Sequence, residues 1–411
     1  MKVSIIGAGA SGMMTAVLLK QNNIDCKVYE RNDKIMKKIY ATGNGRCNFT
    51  NVNLSYKNFH GKNPKFTLGA LNKFDNKATV DFFNQMGIVE VELEDGKLFP
   101  QSLQASSIVR QFELLSDHLD LDIDFNSFVS FIEKKGDKFY VKANGKVEEC
   151  DALVLATGSK TYPKSGSDGN GYRLSKKLGH SITEIHPGIV QLRLKGDSFE
   201  KMSGTKFRAK VTLLSNGKKI KSFTQEVLFT DYGISGPAIL QVSGEAIRER
   251  LKGAEVLISI DLLYDQSLDE VFSYLIYQAG INSYKSIADL MVGLINDKLI
   301  GDILKQASID EVIKAGELSN QKLRDLSYSL KNFNFEVESY KDDDSGQVTC
   351  GGVATDEIDP KTMGSKLVKN LYIVGELMDI DGDCGGYNLQ WAWSSAYSCA
   401  KAISYKENFN E

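Results

Sequence analysis

Apolar residues come in short runs near the N-terminus, each about as long as one element. Lys2 to Ile6 has the continuity of a buried strand, Met13 to Lys20 has helical composition, and Cys26 to Tyr29 reads as a second strand. Farther on, the spacing predicts helices over Lys77 to Met86 and Ser106 to His118. Short strands follow at Leu121 to Phe125, Phe128 to Glu133, Lys138 to Ala143 and Lys146 to Cys150, with Asn144-Gly145 as a hairpin turn. An apolar strand, Ala152 to Ala156, and a helix, Tyr172 to Leu178, complete this stretch.

From Pro187 the pattern changes. Val190 to Leu194, Phe207 to Leu214, Ile220 to Phe223 and Val227 to Thr230 are strand-like, Ala238 to Leu251 is helical, and Glu255 to Ile260 is again a strand. Helical periodicity then runs from Leu268 to Leu330. This stretch reads as an insertion that walls a ligand and sets substrate choice. After the charge run Lys341 to Asp344, expected to be an exposed turn, a strand at Leu371 to Val374 and a helix over Gln390 to Ile403 return to the texture of the start.

The first strand runs straight into Gly7-Ala-Gly9-Ala10-Ser11-Gly12, and the second strand ends on Glu30. Strand, glycine turn, helix, strand and acid, in that order, form the dinucleotide-binding fingerprint. Gly7 permits the turn, Gly9 lets backbone N–H groups approach a pyrophosphate, and Gly12 lets the helix lie close to the strand. Glu30 is placed to accept hydrogen bonds from a ribose diol. The three glycines and the lack of an A-x-A-like cleavage site argue against reading this segment as a signal peptide.

Two further stretches carry polar-ligand chemistry. Arg31, Lys37 and Lys38 lead into Thr42-Gly43-Asn-Gly45-Arg46-Cys47-Asn48, a loop suited to wrapping around a polar ligand with cations near its negative charge. Cys47 is either a thiol activated by Arg46 or a packed cysteine. Late in the chain, Gly375-Glu376 ends a strand, Asp379 follows, and Gly385-Gly386-Tyr387-Asn388-Leu389 opens a helix. A strand ending in Gly-acid suits a carboxylate bonded to a ribityl chain, and a helix N-terminus suits the flavin locus that becomes anionic on reduction. The meander before Ala156-Thr157-Gly158 also points to a flavoprotein rather than a simple nicotinamide dehydrogenase. The Asp381-Gly-Asp383-Cys384 run lacks calcium-loop spacing.

Composition adds bounds. The 411 residues are 42% hydrophobic and 25% charged, with a net charge of -3, as in an ordinary globular chain with no reason to seek nucleic acid or a membrane surface. No basic, aromatic-interleaved stripe stands out. Six scattered cysteines without a C-x-x-C pair suggest neither zinc nor a dithiol, so reduced thiols and a cytoplasmic location are expected.

Together, Gly7 to Gly12, Thr42 to Asn48, Phe99-Pro100, Tyr162 to Gly171, Leu228 to Pro237, Thr349 to Gly352 and Gly375 to Trp391 resemble the aminoacetone-oxidase-like FAD-binding family, which includes proteins proposed to reduce bile-acid double bonds. The resemblance implies an α/β fold: a split, Rossmann-like FAD-binding domain of the glutathione-reductase type with an inserted β-barrel plus helical domain. The expected boundaries are 1–187 and 346–411 for the FAD domain, 188–265 for the barrel, 266–330 for the helices and 331–345 for a return strand. It carries FAD contacts onto the glycine turn, Glu30, Arg31, the Lys37 to Asn48 loop, Val129, Ala156 to Gly158, Gly375-Glu376, Asp379 and Gly385 to Leu389. Where many members begin the basic loop with an Arg-Lys pair, this chain has Lys37-Lys38.

The leading expectation is a FAD-dependent oxidoreductase that passes hydride from NADH or NADPH to an organic acceptor such as an activated C=C bond. An amine oxidase using O₂ and a non-catalytic flavin-binding regulator are the alternatives. No second glycine fingerprint occurs, so a nicotinamide donor would dock transiently. A small-molecule substrate, no nucleic acid, no membrane and no metal are expected. Tyr387 and Cys384 are candidate proton donors, but no catalytic acid or base is assigned.

Overall fold

A computed structural model describes residues 1–342 and 345–409. Asp343 and Asp344, half of the expected charged turn, lie outside the described residues. The chain divides into two compact units, Met1–Pro187 with Gly346–Glu411, and Gly188–Ser345.

In the first unit, five parallel strands lie in the order Leu371–Ile373, Ala152–Leu155, Val3–Ile6, Cys26–Tyr29 and Asp122–Asp124. Val3–Ile6 is central and buried at every residue, which is why its sequence is apolar without alternation. Register fixes what lies at the carboxyl edge. Ile6 pairs with both Tyr29 and Leu155, and Leu155 with Ile373. Gly7, Glu30, Ala156 and Val374 therefore leave the sheet side by side, where ligands of open α/β sheets bind. A three-stranded antiparallel meander, Val129–Lys135, Lys138–Ala143 and Lys146–Cys150, accompanies this sheet.

Three expectations are corrected. The strand near Leu121 to Phe125, Asp122–Asp124, pairs with Cys26–Tyr29 at the edge of the parallel sheet and not with the meander. A small sheet of Thr50–Asn51, Lys97–Pro100 and Glu90–Glu92 was not anticipated, its strands being too short for a period to show. Both site helices also begin earlier than apolar periodicity suggested, at Ala10 and at Gly385, because glycine and serine occupy their first turns. The later helix is anchored by its tryptophans: Trp391 Nε1 donates to the Gly375 carbonyl at 3.1 Å and Trp393 Nε1 to that of Phe49 at 3.0 Å.

The second unit is a closed barrel with a run of helices inserted before its last strand. Barrel order is Leu192–Leu194, Gly233–Ser235, Lys218–Thr230, Lys206–Ser215, Val256–Asp261 and Phe333–Tyr340. Lys218–Thr230 is one strand where two were expected. Thr224, Gln225 and Glu226 break the apolar run, yet their backbones stay paired with Lys210, Ala209 and Arg208. The continuous helical stretch resolves into Leu268–Ile281, Ile287–Met291, Asp297–Gln306 and Asn320–Lys331, each capped by a Ser or Asn side chain accepting from a first-turn N–H. Along Lys206–Ser215, Lys206, Arg208 and Lys210 are exposed while Ala209 and Val211 are buried in the barrel.

Candidate cofactor site

The glycine turn is shaped by contacts that tolerate no side chain. A Cβ at Gly12 would lie 1.9 Å from the Gly7 carbonyl oxygen, and one at Gly7, whose φ is +104°, would lie 2.6 Å from that of Ala156. Gly9 differs: a Cβ there meets nothing within 4 Å, so space opens in front of the turn. The helix that follows begins without a side-chain cap, leaving its N–H groups and dipole for an anion. Glu30 is buried, and its Oε2 accepts from Ala8 N at 2.8 Å. Its Oε1 accepts from the backbone and side-chain nitrogens of Asn32 at 2.8 and 2.7 Å. The carboxylate is thus held rigidly at the sheet edge, with lone pairs left for a diol.

Several expected residues far apart in sequence meet. Lys38 Nζ lies 2.7 Å from Glu376 Oε2 with both side chains largely buried, and Thr349 N donates to Glu376 Oε1 at 3.1 Å. Ser11 packs on Gly375, where a Cβ would come within 2.5 Å of Ser11 Oγ. The amide nitrogen of Asn48 faces the carbonyls of Thr50 at 2.7 Å and Leu98 at 3.1 Å, so its oxygen accepts from Gly386 N at 3.2 Å. The Thr42 to Asn48 loop and the Gly385 turn are therefore one structure. Gly43 leaves no room for a side chain against Asn48 N, 2.9 Å from its Cβ position. Asn388 closes the late turn, accepting from Gly382 N at 3.0 Å and donating to the Gly382 and Cys384 carbonyls. A Cβ at Gly385 would meet nothing, so the second helix end also faces open space.

Other expected residues have different engagements. Arg31 pairs with Asp168 at 2.5 Å and lies over the Phe128 ring. Lys37 is exposed. Arg46 is exposed as well, its Nε donating to the Gly43 carbonyl at 3.2 Å and its guanidinium resting on Phe99. Thr42 Oγ1 donates to the Ile39 carbonyl, and Gly45 is exposed. Val129, Ala156 and Leu389 are buried, and Thr157 with Gly158 is half-buried. Asp379 is buried and accepts from Lys62 N at 3.0 Å. Of the two readings of Cys47, the structure shows the packed cysteine: the thiol is buried, and burial pushes it up to about 12 against a weaker opposing hydrogen bond with Thr42. Burial also raises Cys384 and Tyr387, so both stay protonated near neutrality. The Tyr387 hydroxyl donates to the Asn53 carbonyl at 3.2 Å.

One pair escaped sequence reasoning. His60 Nε2 lies 2.7 Å from Asp383 Oδ1, two residues before the Gly385 turn, because Phe59–His60 and Asp381–Gly382 form a short antiparallel ladder. Neither residue has a local spacing that announces the other.

An uncapped helix at a glycine turn and a buried acid at the next strand end define a Rossmann-type dinucleotide-binding protein. Residues 1–402 match the family described as the HI0933-like protein Rossmann domain, and the chain belongs to that family. It is 33% identical to the 3-dehydro-bile acid delta(4,6)-reductase of Clostridium scindens, covering 98% of this chain and 99% of that one. It is also 33% identical to the ribosomal RNA dihydrouridine synthase of Haemophilus influenzae, covering 97% and 98%. A crystal structure of 3-ketosteroid delta1-dehydrogenase from Sterolibacterium denitrificans shares the fold, with a TM-score of 0.53 at 11% identity over 98% of this chain and 99% of that one. The protein is a FAD-dependent oxidoreductase. With one relative named for a reaction on ribosomal RNA, the expectation of no nucleic-acid partner is not supported. No described helix is long and apolar enough to cross a membrane.

Proposed function

We propose that this protein reduces a carbon–carbon double bond conjugated to a carbonyl, with FAD relaying hydride from NADH or NADPH. The observation that carries the reading is the pair of relatives matched over nearly their whole length. Their names describe different acceptors, a 3-oxo bile acid unsaturated at positions 4 and 6 and a uridine, but one elementary step. Hydride adds to the electron-poor carbon of the conjugated double bond, β to the carbonyl in a 4-ene or a uracil and δ to it in a 6-ene, and a proton adds to the adjacent carbon of that bond. FAD supplies the hydride chemistry. The chain's own residues bind and orient: the Gly9 helix end and Glu30 for the adenosine diphosphate half, and Lys38, Glu376 and the Gly385 helix end for the flavin half. Asn48 ties the Thr42 to Asn48 loop to the Gly385 helix end. Only one glycine fingerprint occurs in the chain, so the nicotinamide donor docks transiently. Cytoplasmic residence belongs to the same proposal, fitted by six free cysteines.

The test is product analysis. Incubated anaerobically with NADPH or NADH and a 3-oxo-4,6-diene steroid or a uridine-containing RNA, the protein should yield a product heavier by two hydrogens. Oxidation of an amine with O₂ uptake, and no reduction of either acceptor, would overturn the proposal.

A further inference from the structure

From Lys201 to Lys221 the chain has seven Lys or Arg and no Asp or Glu, in a protein whose net charge is -3. Strand alternation puts three of these cations on one face. Along Lys206–Ser215, Ala209, Val211 and Leu213 are wholly buried in the barrel, while Lys206, Arg208 and Lys210 are exposed between them. Alternate residues of a strand stand roughly 6.8 Å apart, a separation comparable with that of neighbouring phosphates on a nucleic-acid strand. The Asn216-Gly217 turn, both residues at positive φ, then brings Lys218 and Lys219 into the open at the hairpin tip.

The carboxylates nearby are mostly engaged elsewhere: Glu249 accepts from Ser215 Oγ at 2.7 Å and pairs with Lys252, while Glu255 adjoins the turn through its backbone bonds to Asn216. Glu226 stands opposite Arg208 and lies 2.9 Å from Lys206 Nζ. Asp261, opposite Lys210 on the other side, is engaged by Lys331 at 2.8 Å. Among the described residues, no carboxylate lies within ion-pair distance of Arg208, Lys210, Lys218 or Lys219. Like charges concentrated on one strand and its turn repel one another unless a polyanion is bound.

We infer that the Lys206–Thr230 hairpin is a docking surface for the phosphate backbone of RNA. The inference rests on the reading of this protein as a reductase of conjugated double bonds. Among polyanions, RNA carries such a bond, C5=C6 of uracil, conjugated to the C4 carbonyl. The hairpin contributes affinity and register, and no chemistry.

The experiment uses the FAD-loaded full chain and a fluorescein-labelled RNA stem-loop with unpaired uridines, with binding read by anisotropy across a KCl series. The wild type should bind with a steep salt dependence. A Lys206→Gln, Arg208→Gln, Lys210→Gln variant should bind at least tenfold more weakly, with the salt slope reduced by about 2. A Lys206→Arg, Lys210→Arg variant should bind as the wild type does. Equal binding by the triple variant, or a wild type that binds phosphatidylglycerol vesicles and not RNA, overturns the inference. Anaerobic reoxidation of the reduced flavin by a 3-oxo-4,6-diene steroid, measured in parallel, separates the two claims. If the steroid reoxidises the flavin in wild type and triple variant alike while RNA fails to bind, the docking surface falls alone. If neither the steroid nor the RNA is reduced, the reductase reading falls.

Discussion

Single residues make separable contributions at this site, and the glycines show it best. Gly12→Ala forces a Cβ to 1.9 Å from the Gly7 oxygen, so thermal unfolding should show a loss of about 1 to 3 kcal/mol along with lost flavin. Gly9 has ordinary negative φ and open space, so Gly9→Ala should keep stability within about 0.5 kcal/mol yet lower bound FAD, read from the flavin-to-protein absorbance ratio. If both variants unfold early, the open cradle is misassigned. Cys47 gives a second prediction. Its folded thiol is raised to about 12, so above pH 9 the unfolded chain loses a proton that the folded one keeps, and stability falls as pH rises. Cys47→Ala should flatten urea-measured stability between pH 9 and 12 by about 1.4 kcal/mol per pH unit, one proton's worth. The fingerprint residues were legible because each stands next to its partner element. The Lys38–Glu376 and His60–Asp383 pairs were not, since only the folded chain brings their members together.

Elements rather than residues decide where the two halves of the first unit join. Periodicity revealed the long apolar segments, and strand register then set Gly7, Glu30 and Ala156 at one edge. It failed for the small sheet of Thr50–Asn51, Glu90–Glu92 and Lys97–Pro100, which carries no strand apolar throughout, and for Lys218–Thr230, whose polar middle hides an unbroken ladder. A polar clamp ties the segment after the Asn170–Lys177 helix to the returning chain. His180 Nδ1 lies 2.9 Å from Glu357 Oε2 and its Nε2 2.8 Å from Ser365 Oγ, with Ser181 N donating to Glu357 at 3.0 Å. Burial opposes the Glu357 charge, but hydrogen bonds from Ser181 and His180 outweigh it and hold the carboxyl below its usual range. Its contribution is therefore present above the ordinary carboxylate range and lost as pH falls through the lowered folded value. His180→Ala should cost about 2 kcal/mol in chemical denaturation at pH 7, and Glu357→Gln should make stability less sensitive to acid. A His180→Ala protein as stable as the wild type would rule out the clamp.

At the scale of the whole molecule, the chain combines a flavin-binding unit with a barrel and helical unit whose outer hairpin is strongly basic. The fold class was legible in the sequence because the motifs occur in order along nearly all of it. The basic strand was not, because net charge averages away a local run of cations that strand alternation makes visible. The most direct measurement is one anaerobic cuvette followed at visible wavelengths. The oxidised-flavin bands should bleach on adding NADH or NADPH, and should return, still without oxygen, when a 3-oxo-4,6-diene steroid or a uridine-containing RNA is added. Bands that bleach but return only on admitting air would contradict double-bond reduction.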